Sequence, residues 1–268
     1  MKKRKNILNL AIIFASVMTF ILFAPSCKKD DTNNSYVAKP IVQAYLAPNQ
    51  PISIYIKQEI LIGSTDTTTQ TIDNLVVKIA YSGNTVILTP KGRGIYISDT
   101  SCKVIAGQTY NLDFIYNGNE ITATTVIPSK PTGLQISATS MVIPPNTYDY
   151  SSISPLTLNW NNPDDDYFMV IAQTADTLSP IDTSSHFRHT FFRNQPIKSN
   201  TYQLSPRDFS YYGNYSVILY KLNVDYAALY NGSGNNSQNL TKPISNINNG
   251  LGIFTGINAD TLKVTINN

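Results

Sequence analysis

The chain predicts an all-β protein built from two tandem antiparallel β-sandwiches, preceded by a leader that belongs to neither. Three observations predict this. Short runs alternate apolar and polar residues with a period of two, as half-buried strands do. Tyr, Thr and Ile are frequent, while Asn, Gly, Pro and Ser punctuate the runs. Only two cysteines occur, and one of them, Cys27, closes the leader. Cys102 is therefore left without an intramolecular partner, and the fold must be held by burial rather than by a disulfide.

The leader comes first. Lys2, Lys3, Arg4 and Lys5 are followed by Ile7 to Phe23 without a charge. A helix of that length spans roughly 25 Å at ~1.5 Å per residue, short of the ~20 residues a permanent span needs. An uncleaved anchor is the alternative, and its length disfavours it. Ala24-Pro25-Ser26-Cys27 supplies small residues beside a cysteine, and Pro25 breaks the helix there. Residues 1–26 thus read as a lipoprotein signal peptide and 27–37 as a flexible tether, with Cys27 the lipidated first residue of the mature chain. Several acyl chains, at ~0.8 kcal/mol per buried methylene, anchor a domain to a membrane without a spanning helix. Lys29-Asp30-Asp31 just after the cysteine resembles the export signal of Bacteroidota surface lipoproteins. The resemblance implies an outer-membrane protein facing the cell exterior; a periplasm-facing lipoprotein is the alternative.

Removing the leader changes the charge. Four of the 20 basic residues and none of the 17 acidic ones lie within residues 1–26, which leaves 16 against 17. A mature chain so balanced carries no electrostatic footprint for nucleic acid.

Residues 38–128 form the first expected sandwich. Ile52, Ile54 and Ile56 alternate with polar residues, as do Tyr110, Leu112, Phe114 and Tyr116. Hairpins are expected at Ser82-Gly83-Asn84 and at Asn117-Gly118-Asn119, where Gly and Asn supply positive φ. About seven strands here fit an immunoglobulin-like or transthyretin-like sandwich. Pro128 to Gly133, with two prolines, marks the boundary.

Residues 129–268 form the second. Leu156, Leu158 and Trp160 share a strand face, Pro163 follows, Tyr167–Ala172 opens the next strand, and Tyr215, Val217 and Leu219 alternate later. The Leu-x-Leu-x-Trp-x-x-Pro pattern with a later Tyr-x-Val-x-Leu strand resembles the fibronectin type III module, so Trp160 is expected in the core. Asn223–Tyr230 reads as a short helical insertion, and 232–250 as a long polar loop.

Pro40-Ile-Val-Gln-Ala-Tyr-Leu46, Leu75-Val-Val-Lys-Ile79, Gly107-Gln-Thr-Tyr110 and the closing segment Ser245 to Phe254 resemble, over almost the whole mature chain, a Bacteroidota lipoprotein family of unknown function. That family commonly accompanies TonB-dependent outer-membrane receptors, so the resemblance implies an accessory role in uptake and a β-barrel receptor as partner.

Candidate chemistry is sparse. Gly250, Gly252 and Gly256 nearly mimic a dinucleotide fingerprint, but the last interval is one residue too long and no βαβ unit surrounds them. Tight turns before a final strand at Thr261–Ile266 are expected instead. His186 and His189, the only histidines, would point to opposite faces of a strand, which spoils shared metal ligation. Asp164, Asp165 and Asp166 lack the alternation and distal Glu of a calcium loop and read as a solvated turn. No nucleophile-elbow sequence is present. No enzyme activity, cofactor or metal is expected. Tyr148, Tyr150, Tyr211 and Tyr212 fall in loops, where tyrosine stacks on sugar rings while its hydroxyl stays wet. They are the best candidates for a glycan or other nutrient surface, but packing at the core rim is the reading favoured for them.

Overall fold

A computed structural model describes residues 37–60, 65, 68–147, 149–176, 179–184, 188–230 and 244–268. The signal peptide, Cys27, Lys29, Asp30, Asp31, Tyr148, His186 and most of the expected polar loop lie outside the described residues.

Residues 38–268 form one compact unit that is almost wholly β. Its first part holds β1 (Pro40–Leu46), β2 (Ser53–Gln58), β3 (Lys78–Tyr81), β4 (Asn84–Ile87), β5 (Thr89–Gly92), β6 (Ile95–Ile97), β7 (Thr109–Tyr116) and β8 (Asn119–Val126). Its second holds β9 (Gln135–Ile136), β10 (Ser140–Val142), β11 (Leu156–Asn159), β12 (Tyr167–Thr174), β13 (Phe191–Arg193), β14 (Thr201–Leu204) and β15 (Gly213–Leu222). A short helix, Val224–Ala228, and the final strand β16 (Leu251–Asn267) follow.

Both expected hairpins form. Ser82 and Gly83 have φ of 48° and 76°, Asn117 and Gly118 of 50° and 78°. These paired positive values belong to the two-residue turns whose twist matches that of antiparallel strands. The expected alternation is also seen, since Ile52, Ile54, Ile56, Tyr110, Leu112 and Phe114 are buried in one hydrophobic core. A second core contains Leu156, Leu158, Trp160, Tyr215, Val217 and Leu219. Trp160 is 3% exposed and its ring lies 5.5 Å from that of Phe168.

A nine-stranded sheet runs in the order β13-β12-β15-β16-β1-β2-β6-β5, with β10 also paired to β16. The four-stranded sheet β4-β3-β7-β8 closes the first core, and the three-stranded sheet β14-β11-β9 closes the second. β16 makes the large sheet continuous. Its residues 251–256 pair in parallel with β1, and residues 257–266 pair antiparallel with β15. Successive side chains on a strand point to opposite faces. Phe254 lies in the first core and Val264 and Ile266 in the second, all at even positions. Both cores therefore lie on one face of the shared sheet, and its other face is left outward.

The closing glycines depart from the sequence reading. Gly252 and Gly256 lie inside β16 rather than in turns before it. A Cβ on Gly252 would stand 1.9 Å from the Val42 carbonyl oxygen, and one on Gly256 would stand 2.6 Å from that of Val126. Each glycine permits another backbone to come close, which is the usual reason for a glycine within a strand. The period-two signal is lost wherever glycines take core-facing positions, so the pattern revealed only the end of the strand.

Polar groups tie the two parts together near this point. Thr125 Oγ1 accepts from the Gly256 N–H and from Asn223 Nδ2, each at 2.9 Å. Asn258 Nδ2 donates to the Pro128 carbonyl at 2.8 Å. Asn258 and Thr125 are buried, and buried amides and hydroxyls need such partners.

Candidate functional site

The face of the large sheet away from the two cores also carries apolar and aromatic side chains, of which Met169 and Leu222 are buried. On β12, Phe168, Val170 and Ala172 enter the core, which turns Met169 and Ile171 outward. On β15 the same parity turns Tyr220 and Leu222 outward, and the register places Met169 opposite Tyr220 and Leu222 opposite Ile257. On β1, Val42, Ala44 and Leu46 are buried, so Tyr45 faces outward and is 39% exposed.

The short helix lies over this face. Its N-cap residue Asn223 is extended, with φ −73° and ψ 156°, and it is fastened to β8 through Thr125 and the Val126 carbonyl. Asn246 spans the other side, accepting from the Phe254 N–H and donating to the Phe254 carbonyl and to Asp225. Tyr226 and Tyr230, four residues apart, share one side of this turn.

The result is a row of rings. Tyr45 and Tyr226 meet edge to face with centroids 5.7 Å apart. Tyr226 and Tyr230 follow at 5.8 Å. The Arg193 guanidinium sits 5.8 Å from the Tyr230 ring centre, at the distance of a cation–π contact. Between the Tyr45–Tyr226 pair and the sheet lies a groove of about 230 Å³ floored by Met169, Ile171, Leu222 and Ile257, with Tyr220 at its side. Burial and the Tyr230 hydroxyl push the Tyr226 phenol well above its ordinary range, while Arg193 pulls it slightly back. Burial around the groove thus disfavours phenolate at Tyr226.

The loop tyrosines are placed differently. The Tyr212 hydroxyl donates to the Ile143 carbonyl at 2.7 Å, and the ring packs against the second core. Tyr150 packs there too, with the Arg207 guanidinium 5.6 Å above its ring. Tyr211 contributes its main chain: its N–H donates to the Tyr215 hydroxyl, which donates in turn to the Tyr211 carbonyl. Tyr150, Arg188, His189 and Arg207 border a second, more polar hollow of about 200 Å³. Arg188 is turned to backbone carbonyls of Asp182 and Thr183.

Of the aspartate run, Asp165 pairs with Lys198 and Asp166 with Lys221, both at 2.6 Å. Asn162 braces the turn by accepting from the Asp166 N–H and donating to the Asp166 and Lys198 carbonyls. Among the described residues no group of three His, Cys, Asp or Glu side chains is placed to hold a metal ion. Cys102 is half-buried, with its sulfur 3.1 Å from the Tyr81 hydroxyl.

Tyr45, Tyr220, Tyr226 and Tyr230 were not singled out by sequence reasoning, although a signal existed. Tyr45 and Tyr220 are aromatic residues on the wrong parity of otherwise amphipathic strands, where a polar residue is the norm.

The chain is thus an all-β protein whose large shared sheet carries, on the face away from the two cores, a groove bordered by tyrosines. The chain belongs to the family described as Domain of unknown function (DUF4249), which matches residues 30–263. Comparison with curated proteins found no match.

Proposed function

We propose that this protein is a non-enzymatic outer-membrane lipoprotein, anchored through Cys27 and facing the cell exterior, that captures a small nutrient for a TonB-dependent β-barrel receptor. The tyrosine-lined groove is the observation that carries the binding role. Rings and aliphatic side chains line an open groove on the sheet face away from the cores, with three phenolic hydroxyls among them. The leader, the Lys29-Asp30-Asp31 signal and the family resemblance support the location and the partner. Affinity purification of the tagged protein from outer membranes is expected to recover a large β-barrel receptor. Repeated recovery of none would remove the uptake role.

Glycan capture is a second reading, favoured by the hollow beside Tyr150, where a hydroxyl-rich ligand meets Asp182, His189 and Ser210. Glycan-array binding that is lost on Tyr150→Ala would support it, and an array without signal would remove it.

A further inference from the structure

The groove under the tyrosine row shows what kind of ligand it suits, an inference that rests on its being a binding site at all. Its floor is thioether and aliphatic carbon, and the polar atoms that its lining side chains present are the hydroxyls of Tyr45, Tyr220 and Tyr226. A sugar would bring more hydroxyls than the three phenols of this lining can pair on an otherwise apolar surface, and each unpaired group carries a desolvation penalty. An aromatic ring brings none. It also gains from edge and offset contacts with Tyr45 and Tyr226, and from the sulfur of Met169. At about 230 Å³ the space suits one ring rather than an oligosaccharide, since pockets for drug-sized ligands begin at roughly 300 Å³.

Charge supplies the rest. Arg193 stands opposite Ile171 in the β12–β13 ladder, so it shares the outward face with a floor residue, their Cβ atoms about 5 Å apart. Its guanidinium faces the Tyr230 ring, and no carboxylate among the described residues pairs with it. The nearby Asp225 carboxylate is engaged by Asn246 at 3.1 Å. A guanidinium on the strand beside an apolar slot, without a carboxylate partner among the described residues, is complementary to a planar anion, which it can grip with two parallel hydrogen bonds.

We propose that the groove binds a monocyclic aromatic carboxylate, with the ring held between the Tyr45–Tyr226 pair and the Met169–Ile171 floor and the carboxylate on Arg193. The test is calorimetric titration of the full chain in lipid nanodiscs with benzoate, its uncharged methyl ester and glucuronate. Benzoate is expected to bind with a dissociation constant below about 1 mM, within reach of so small a ligand. The ester is expected to bind roughly tenfold or more weakly, as is benzoate to Arg193→Gln, because a hydrogen bond to a charged group is lost. Tyr226→Leu should weaken benzoate and ester alike. Arg193 is exposed on an edge strand, so an unchanged melting temperature will show that its replacement leaves the fold intact. Equal binding of acid and ester, or an unaffected Arg193→Gln, overturns the carboxylate assignment. Binding of glucuronate alone, abolished by Tyr226→Leu, overturns the aromatic class but keeps the groove as a site. Silence from all three probes overturns the proposal and the groove reading with it.

Discussion

Replacing Gly252 with Ala probes the place where β1 is held against β16. Gly252 has φ of +102°, a conformation that costs an L-residue roughly 1–3 kcal/mol. The added Cβ would also stand 1.9 Å from the Val42 oxygen and 2.9 Å from the Val42 carbonyl carbon. Val42 cannot withdraw freely, because it is fully buried and paired on its other side with Ile56. Relieving such overpacking by backbone shifts costs roughly a further 1–3 kcal/mol, so Gly252→Ala is expected to lose about 2–6 kcal/mol in all. Gly83→Ala is the matched control. Gly83 also has positive φ (+76°), but a Cβ there meets nothing within 4 Å, so only the conformational part, about 1–2 kcal/mol, applies. In a unit of this size each kcal/mol lowers the melting temperature by about 2–4 °C. Urea and thermal unfolding of both variants therefore isolate the clash as their difference. If Gly252→Ala and Gly83→Ala agree within about 0.5 kcal/mol, the usual scatter of surface substitutions, then β1 yields freely and the close approach does not hold the sheet together. Because β1 carries Tyr45, the same variant should also disturb the groove.

Three further outcomes are expected. The Tyr81 phenol is pushed up to about 12, first by its hydrogen bond with Cys102 and then by burial, and burial raises Tyr226 as well. Above about pH 10 the unfolded chain releases phenolic protons that the folded chain retains. Stability should therefore fall as pH rises from about 10 towards 12, and Tyr81→Phe should flatten that slope in urea midpoints measured across the range; an unchanged slope removes Tyr81 from the account. Trp160→Ala should cost about 3–5 kcal/mol as a core cavity. Trp160→Phe should cost distinctly less, since it also removes an indole N–H that is buried without a partner in the structure, a penalty of about 1–3 kcal/mol; equal midpoints for the two would contradict this. Cys27→Ala should move the mature protein out of the membrane fraction, and alanines at Lys29, Asp30 and Asp31 should leave it lipidated but protected from protease added to intact cells.

Much of the fold was legible because its signals are local. Ile52, Ile54 and Ile56 announce a buried face through period-two alternation, and the Ser82-Gly83 and Asn117-Gly118 turns are written in adjacent residues. The extent of β16 was not legible, since Gly252 and Gly256 occupy core-facing positions where an apolar side chain would have marked the strand. The groove was less legible still. A tyrosine out of phase on a strand is a weak sign by itself, and nothing near Tyr45 in sequence says that Tyr226 will lie edge-on to its ring. Tyr150 and Tyr212 pack their rings against the second core, as the rim-packing reading of these loop tyrosines expects.

The sequence by itself determined the β class, the turns, the two apolar cores and the expectation of a lipid-bearing Cys27, because each depends on the order of neighbouring residues. Only the tertiary structure decided that the two cores share one sheet and that its opposite face carries the tyrosine row. Parallel pairing of β1 with β16 joins the two ends of the described chain, and no local periodicity encodes which distant strands will meet. Once they meet, the strict alternation of side chains along β16 places both cores on one face and directs Tyr45, Met169 and Ile257 to the other.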